Sequence, residues 1–255
     1  LPDILSLSYS KEQQLRYGEN PHQKASLYGG FFRGCGQIQG KDLSYNNILD
    51  ASAAINLVDE FDIPTTVILK HNNPCGVASA DDLGRAWEEA FATDMDAPFG
   101  GVVAVNREVD GELAKLMSRV WLEIIIAPGF SNKAHQLFSK KKNLRLLVRK
   151  KETTVECGRE IRTVEGGILV QDRDQGKDDP STFKVVTKRE PNEVDWKALL
   201  FAWKVAKHVK SNAIVFASAE RTLGIGAGQM SRVDSARFAV TKAEAAGLSL
   251  EGAAM

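Results

Sequence analysis

Six short runs of apolar, largely β-branched residues punctuate the chain: Thr65-Thr66-Val67-Ile68-Leu69, Gly101-Val102-Val103-Ala104-Val105, Glu123-Ile124-Ile125-Ile126-Ala127, Leu144 to Val148, Gly167 to Val170 and Ala213 to Phe216. Successive side chains of a strand point to opposite faces, so a run that is apolar at every position requires cover on both. Stretches with helical spacing lie between the runs and can supply it. Asn47 to Phe61 repeats Leu49, Ala53, Asn56/Leu57 and Glu60/Phe61, while Ala80 to Ala92 and Asn132 to Lys142 follow later strands or turns. Asn192 to Val209, behind the helix start Pro191-Asn192, sets Val194, Trp196, Leu199, Leu200 and Trp203 on one broad apolar face. Strands alternating with helices predict α/β layers.

A length of 255 residues suits one large or two modest domains at roughly 100–200 residues each. The polar, Asp-rich stretch from Val170 to Pro180 marks the boundary, so two α/β lobes are expected. No internal repeat of fixed period is visible. The 33 Lys and Arg balance the 33 Asp and Glu, so no global field recruits nucleic acid or an anionic membrane. No apolar run approaches the ~20 residues of a membrane-spanning helix. The basic cluster Lys140-Lys141-Lys142, Arg145, Arg149, Lys150 and Lys151 reads as a solvated helix end and strand edge. Cys35, Cys75 and Cys157 are too scattered for a disulfide framework, which points to a reducing compartment, the cytoplasm. The chain starts at Leu1 without Met or a signal-peptide pattern and stops as abruptly at Met255, so both ends read as cuts.

The sharpest local feature is Lys70-His71-Asn72-Asn73-Pro74-Cys75-Gly76, directly after the run Thr65 to Leu69. Pro74 pushes Asn73 out of the helical region, so the strand hands over to an irregular turn. Polar groups then project at the carboxyl end of a buried strand, where open α/β sheets put their ligands. In a continuing strand Lys70 and His71 would face opposite ways; a turn lets both reach one site. There the imidazole can move a proton beside an ammonium. The alternative is a histidine satisfied by loop carbonyls next to a surface lysine.

A zinc hydrolase of the nucleoside-deaminase kind needs His-x-Glu and Pro-Cys-x-x-Cys. After Pro74-Cys75 the second cysteine is absent, and none of His22, His71, His135 or His208 has Glu two residues on. No metal site is expected, and Cys75 reads as a packed thiol, with a thiolate nucleophile as the alternative. Gly224-Ile225-Gly226-Ala227-Gly228 lacks the third glycine of a dinucleotide fingerprint. It reads as a tight turn, or as bare backbone approaching a ligand that Arg232 neutralises. Leu15 to Gln23 is dense in polar groups and either lies idle or presents Arg16 and Tyr17 to an anion.

Arg16-Tyr17-Gly18-Glu19-Asn20-Pro21-His22-Gln23, Tyr45-Asn46-Asn47-Ile48-Leu49-Asp50, Lys70 to Gly76, Phe99-Gly100-Gly101, Ile125-Ile126-Ala127-Pro128-Gly129, Lys210-Ser211-Asn212 and Gly224 to Arg232 occur in that order. With them, from about Leu15 to its end, the chain resembles the aminoimidazole carboxamide ribonucleotide (AICAR) transformylase domain of the bifunctional purine biosynthesis family. The resemblance implies formyl transfer from the co-substrate 10-formyltetrahydrofolate to the 5-amino group of AICAR, without a metal. It also implies two cytidine-deaminase-like three-layer lobes, here 15–172 and an incomplete 181–255, in a homodimer with shared active sites. Matched motif by motif, it makes His71 and Lys70 catalytic and puts the Asn212 amide near the formyl group. Arg16 and Tyr17 match ribonucleotide-binding positions, Asn47, Phe99, Gly100 and Glu123 surround base and ribose, and Arg232 is a further substrate-side arginine. Position 123 is Glu where the family has Asp or Glu, and Met230 stands where Gln is frequent. The family continues past the equivalent of Met255 into a Ser-Asp-Ala-Phe-Phe-Pro-Phe segment and a glycine-rich stretch, and a cyclohydrolase domain precedes Leu15. The alternative implied is an inactive AICAR-binding or assembly fragment without a complete folate site.

Overall fold

The computed structural model describes residues 1–150, 158–174, 176 and 179–255. Lys151, Cys157, Gln175, Lys177 and Asp178 lie outside the described residues. The first half runs β1 (Lys11–Leu15), β2 (Ala25–Tyr28), α1 (Phe31–Gly34), β3 (Cys35–Gln39), α2 (Tyr45–Val58), β4 (Thr65–Lys70), β5 (Asn73–Ser79), α3 (Leu83–Phe91), β6 (Val102–Val105), α4 (Gly111–Met117), β7 (Ile124–Ala127), α5 (Asn132–Phe138) and β8 (Arg145–Arg149). The remainder is β9 (Arg159–Val164), β10 (Gly167–Asp172), α6 (Glu193–Lys207), β11 (Ile214–Ala217), β12 (Thr222–Gly226) and α7 (Arg232–Ala245).

Six strands form one mixed sheet in the order β3-β8-β7-β6-β4-β5. The pairs β6–β7 and β7–β8 are parallel; β3–β8, β4–β6 and β4–β5 are antiparallel. Val67 and Leu69 of β4, Val102 and Ala104 of β6 and Ile124 and Ile126 of β7 share one core with Ala51, Ala54 and Val58 of α2. The intervening Ile68, Val103, Val105 and Ile125 pack on the opposite side with Trp87 of α3, Leu113 and Met117 of α4 and Phe138 of α5. That two-sided cover is why these strands are apolar at consecutive positions, each buried Val or Ile contributing roughly 1.5–3 kcal/mol.

Two helical faces differ from the sequence expectation. On α2, whose N-terminus is closed by a Ser44–Asn47 capping box, the buried face is Asn47, Ala51, Ala54, Ile55, Leu57 and Val58; the expected Leu57 and, beyond the helix, Phe61 are buried, whereas Leu49 is exposed. On α6 the buried face is Ala198, Phe201, Ala202 and Val205, and Val194 and Trp203 are more than half exposed. In both helices alanines turn inward because they let the helix approach closely. The bulkier Trp196, Leu199, Leu200 and Trp203 of α6 line an apolar cleft of about 550 Å³ with Phe183, Val185 and Met255.

Half of the strands carry no apolar run. Pro74 and Gly76 sit inside β5, which lies at the edge of the six-stranded sheet opposite a register shift between Ile68 and Leu69. The glycines Gly224 and Gly226 belong to β12 and not to a turn. A Cβ at Gly226 would stand 1.9 Å from the Ser235 carbonyl oxygen of α7, and one at Gly224 would stand 2.2 Å from that of Ala239. Gly76 meets the Ala90 carbonyl of α3 at the same 1.9 Å, so hairpin β4–β5 under α3 is echoed by hairpin β11–β12 under α7. The run Gly167 to Val170, expected to be covered on both faces, lies instead in the two-stranded β9–β10 hairpin, where Leu169 is 61% exposed.

The regions on either side of the polar boundary share a core. Phe201, Val205, Val215 and Ile225 join the same apolar cluster as α2 and β4. The Ser79 N–H donates to the Glu220 carbonyl at 2.8 Å, and Thr222 Oγ1 accepts from the Val77 N–H at 3.0 Å, extending β5 toward β12.

Candidate active site

The Lys70–Asn73 hairpin turn has only two central residues, and both are left-handed: His71 at φ 51° and Asn72 at φ 60°. Two-residue hairpins of this kind match the strand twist but favour glycine or asparagine, and the conformation costs an ordinary L-residue roughly 1–2 kcal/mol. The turn is held from outside. Asp50 of α2 accepts the Asn72 N–H on Oδ1 at 2.8 Å. The Asn72 side-chain amide, oriented to satisfy its surroundings, donates to Asp50 Oδ1 at 3.3 Å and to the Leu49 carbonyl at 3.2 Å.

Lys70 and His71 line one cleft of about 280 Å³ with Asn73, Thr93, Asp94, Ala227, Gln229, Phe238 and Lys242. Because β4 runs antiparallel to β6, the carboxyl end of β4 meets the amino ends of β6 and β7, and the rule for open parallel sheets does not describe this edge. The Lys70 ammonium donates to the Phe99 carbonyl. Phe99, 63% exposed, is tilted against Trp121 with ring centroids 5.1 Å apart. Gly100, at φ +71°, lies where a Cβ would fall 2.5 Å from the Trp121 ring. Only glycine fits beneath that indole in this backbone conformation.

The remaining predicted residues are dispersed around the cleft and do not line it. Glu123 pairs with Arg145 at 3.2 Å, and its charge reaches Asp50. Asn47 is buried, its Oδ1 accepting the Ser44 N–H at 3.1 Å, so its carbonyl is committed to capping α2. Asn212 does not line the cleft itself but is paired through its backbone with Gln229, which does. Its Nδ2 donates to the carbonyls of Gln229 at 2.9 Å and Met230 at 3.0 Å, which leaves Oδ1, an acceptor, as the free end. The exposed Arg16 and Arg232 are not among the residues that line the cleft, and the Arg16 guanidinium lies 5.3 Å from the centroid of the half-buried Tyr17 ring.

Asn73 ties the two sides together: its Oδ1 accepts the Lys210 N–H at 3.0 Å while its Nδ2 donates to the His71 carbonyl at 3.2 Å. The Asp94–Lys242 ion pair in the cleft wall joins residues 148 apart, and no local pattern announces it. Cys75 also lines the cleft, but burial pushes its thiol up to about 12 and it donates weakly to the Ile68 carbonyl at 3.5 Å, as a packed thiol does. Among the described residues no three His, Cys, Asp or Glu side chains are grouped to hold a metal. No described helix is long and apolar enough to cross a membrane.

The fold and site together are those of a layered α/β protein with a lysine–histidine pair lining a small cleft, the setting in which such proteins hold small molecules. A family model described as the AICARFT/IMPCHase bienzyme matches residues 1–242, and the chain belongs to that family. The bifunctional purine biosynthesis protein PurH of Chloroflexus aurantiacus is 55% identical over 255 residues, covering 99% of this chain and 50% of its own length. PurH proteins of Bacillus cereus and Bacillus anthracis are each 48% identical over 248 residues, covering 95% of this chain and 48% of theirs. The chain spans about half the length of the curated relatives it matches.

Proposed function

We propose that the chain carries the formyl-transfer site of a bifunctional purine enzyme and moves a formyl group from 10-formyltetrahydrofolate to the 5-amino group of AICAR. The reading rests on one observation, the convergence of Lys70 and His71 on a single cleft through a left-handed turn. The AICAR amine is conjugated with its ring and carboxamide and is a weak nucleophile, so removing its proton during attack on the formyl carbon matters. His71 takes that proton. Lys70 stabilises the oxyanion of the tetrahedral intermediate and protonates the departing folate nitrogen as its bond to the formyl carbon breaks. Asn212 Oδ1, an acceptor, suits the amine hydrogens better than the formyl oxygen. Asn47, Phe99, Gly100 and Glu123 surround the base and ribose, Arg16 and Tyr17 serve the ribonucleotide, and Arg232 is a further substrate-side arginine.

The cleft of about 280 Å³ is just below the roughly 300–1,000 Å³ of small-molecule sites. It has room for the imidazole carboxamide but not for nucleotide and folate together, which supports a site completed by a second copy in a homodimer. The exposed β9–β10 hairpin supports the same reading, because an isolated two-stranded sheet is marginal alone. The repeated hairpin-and-helix unit, Gly76 under α3 and Gly226 under α7, supports two cytidine-deaminase-like lobes, 15–172 and 181–255. The free thiols of Cys35 and Cys75 suit the cytoplasm.

Calorimetry with AICAR followed by a formyl-transfer assay tests the function. Binding and turnover that His71→Ala abolishes, with binding retained, are expected. Binding without transfer by the unaltered chain would leave it a nucleotide-binding module. Sedimentation at micromolar concentration tests the dimer, and a single monomeric species would overturn it.

A further inference from the structure

We propose that the Asp50 carboxylate of α2 is the positioning residue of this site, holding the His71–Asn72 turn left-handed so that the imidazole joins Lys70 at the cleft. The proposal rests on the functional reading above for His71, but its geometry stands by itself. Asp50 comes from a helix 22 residues away and meets the Asn72 amide at 2.8 Å, while the Asn72 side chain reaches back to the same oxygen. A carboxylate accepting backbone N–H groups forms charge-assisted hydrogen bonds, roughly twice as strong as neutral ones. Left-handed residues persist only where their surroundings over-determine them, and here Asp50 supplies the restraint together with Asn73, whose Nδ2 holds the His71 carbonyl.

The site keeps this acid at a cost. Burial raises the Asp50 carboxyl above its ordinary value, against the Asn72 amide and the His71 charge, which lower it, while the Glu123 charge raises it further. The facing groups are thus His71, Glu123 and the backbone and side-chain amides of Asn72.

The test separates turn restraint from general stability. Asp50→Ala is expected to lower kcat about a hundredfold, the scale for a catalytic group misplaced by about 1 Å, with the AICAR dissociation constant changed less than about threefold. Asp50→Asn, which retains an acceptor oxygen, recovers most of the loss. In the Asp50→Ala background, Asn72→Gly is expected to restore turnover at least tenfold, because glycine is left-handed without help. A structural acid elsewhere in the helix would not be rescued by a change in the turn. Hydrogen exchange of the Asn72 amide is read on the same proteins without substrate: protected in the unaltered chain, lost in Asp50→Ala. Protection unchanged by Asp50→Ala, or turnover that Asn72→Gly fails to restore, overturns the proposal. If the unaltered chain transfers no formyl group, the function fails while amide exchange still decides the restraint.

Discussion

Placing a histidine at a hairpin turn makes its geometry depend on backbone as much as on rotamer. At φ 51° the His71 Cα–Cβ bond leaves the alternation of β4, which is how consecutive residues come to line one cleft. Lys70→Ala is expected to lower kcat more than it weakens AICAR binding, since its ammonium acts on charge that appears during transfer; steady-state kinetics beside calorimetry measures the split. The thiols yield a second prediction. Burial pushes both Cys35 and Cys75 up to about 12, so iodoacetamide at pH 7.5 is expected to leave both unlabelled until the chain is unfolded. Peptide mapping by mass spectrometry reads each cysteine separately. Lys70 and His71 were legible in the sequence because an apolar run ends in polar residues before a proline. Asp50, Asp94 and Lys242 were not, since what brings Asp50 to the turn and the other two to the cleft is the packing of elements far apart in the chain.

Among the elements, the glycines of β5 and β12 decide how closely their helices approach. Gly226→Ala would drive a methyl into the Ser235 carbonyl, and urea unfolding is expected to show a loss of about 1–3 kcal/mol. Gly228, which has nothing within 4 Å of a Cβ, has no such packing reason. The same glycines hid β12 from sequence reading: they look like turn residues until the helix above them is known. β4, β6, β7 and β8 were legible from their β-branched runs, being buried on both faces. The buried sides of α2 and α6 were legible only in part: the pattern finds Leu57 and Phe61 but also favours Leu49 and Trp203, where close helix packing favours the alanines.

Across the whole molecule, one polar junction joins the end of α2 to the end of α6. Glu60 Oε1 lies 2.9 Å from Lys207 and 3.0 Å from His208 Nε2, and Lys204 donates to the Glu60 carbonyl at 3.0 Å. Burial raises the Glu60 carboxyl, but the hydrogen bonds from His208 and Lys207 outweigh it and hold it below the usual 4.5. A depressed carboxyl stabilises the fold above its unfolded value and loses that contribution as pH falls through the folded one. Glu60→Gln is therefore expected to cost about 1–3 kcal/mol at pH 7 and to flatten the fall in stability below pH ~4.5, read by urea unfolding across pH. The core that Phe201 and Val205 share with α2 carries a further consequence. A protease site engineered between Asp172 and Pro180 should cut the backbone without releasing either product, and the halves should co-elute from a sizing column until denaturant parts them. What reads along the chain as a linker thus joins partners that already hold each other.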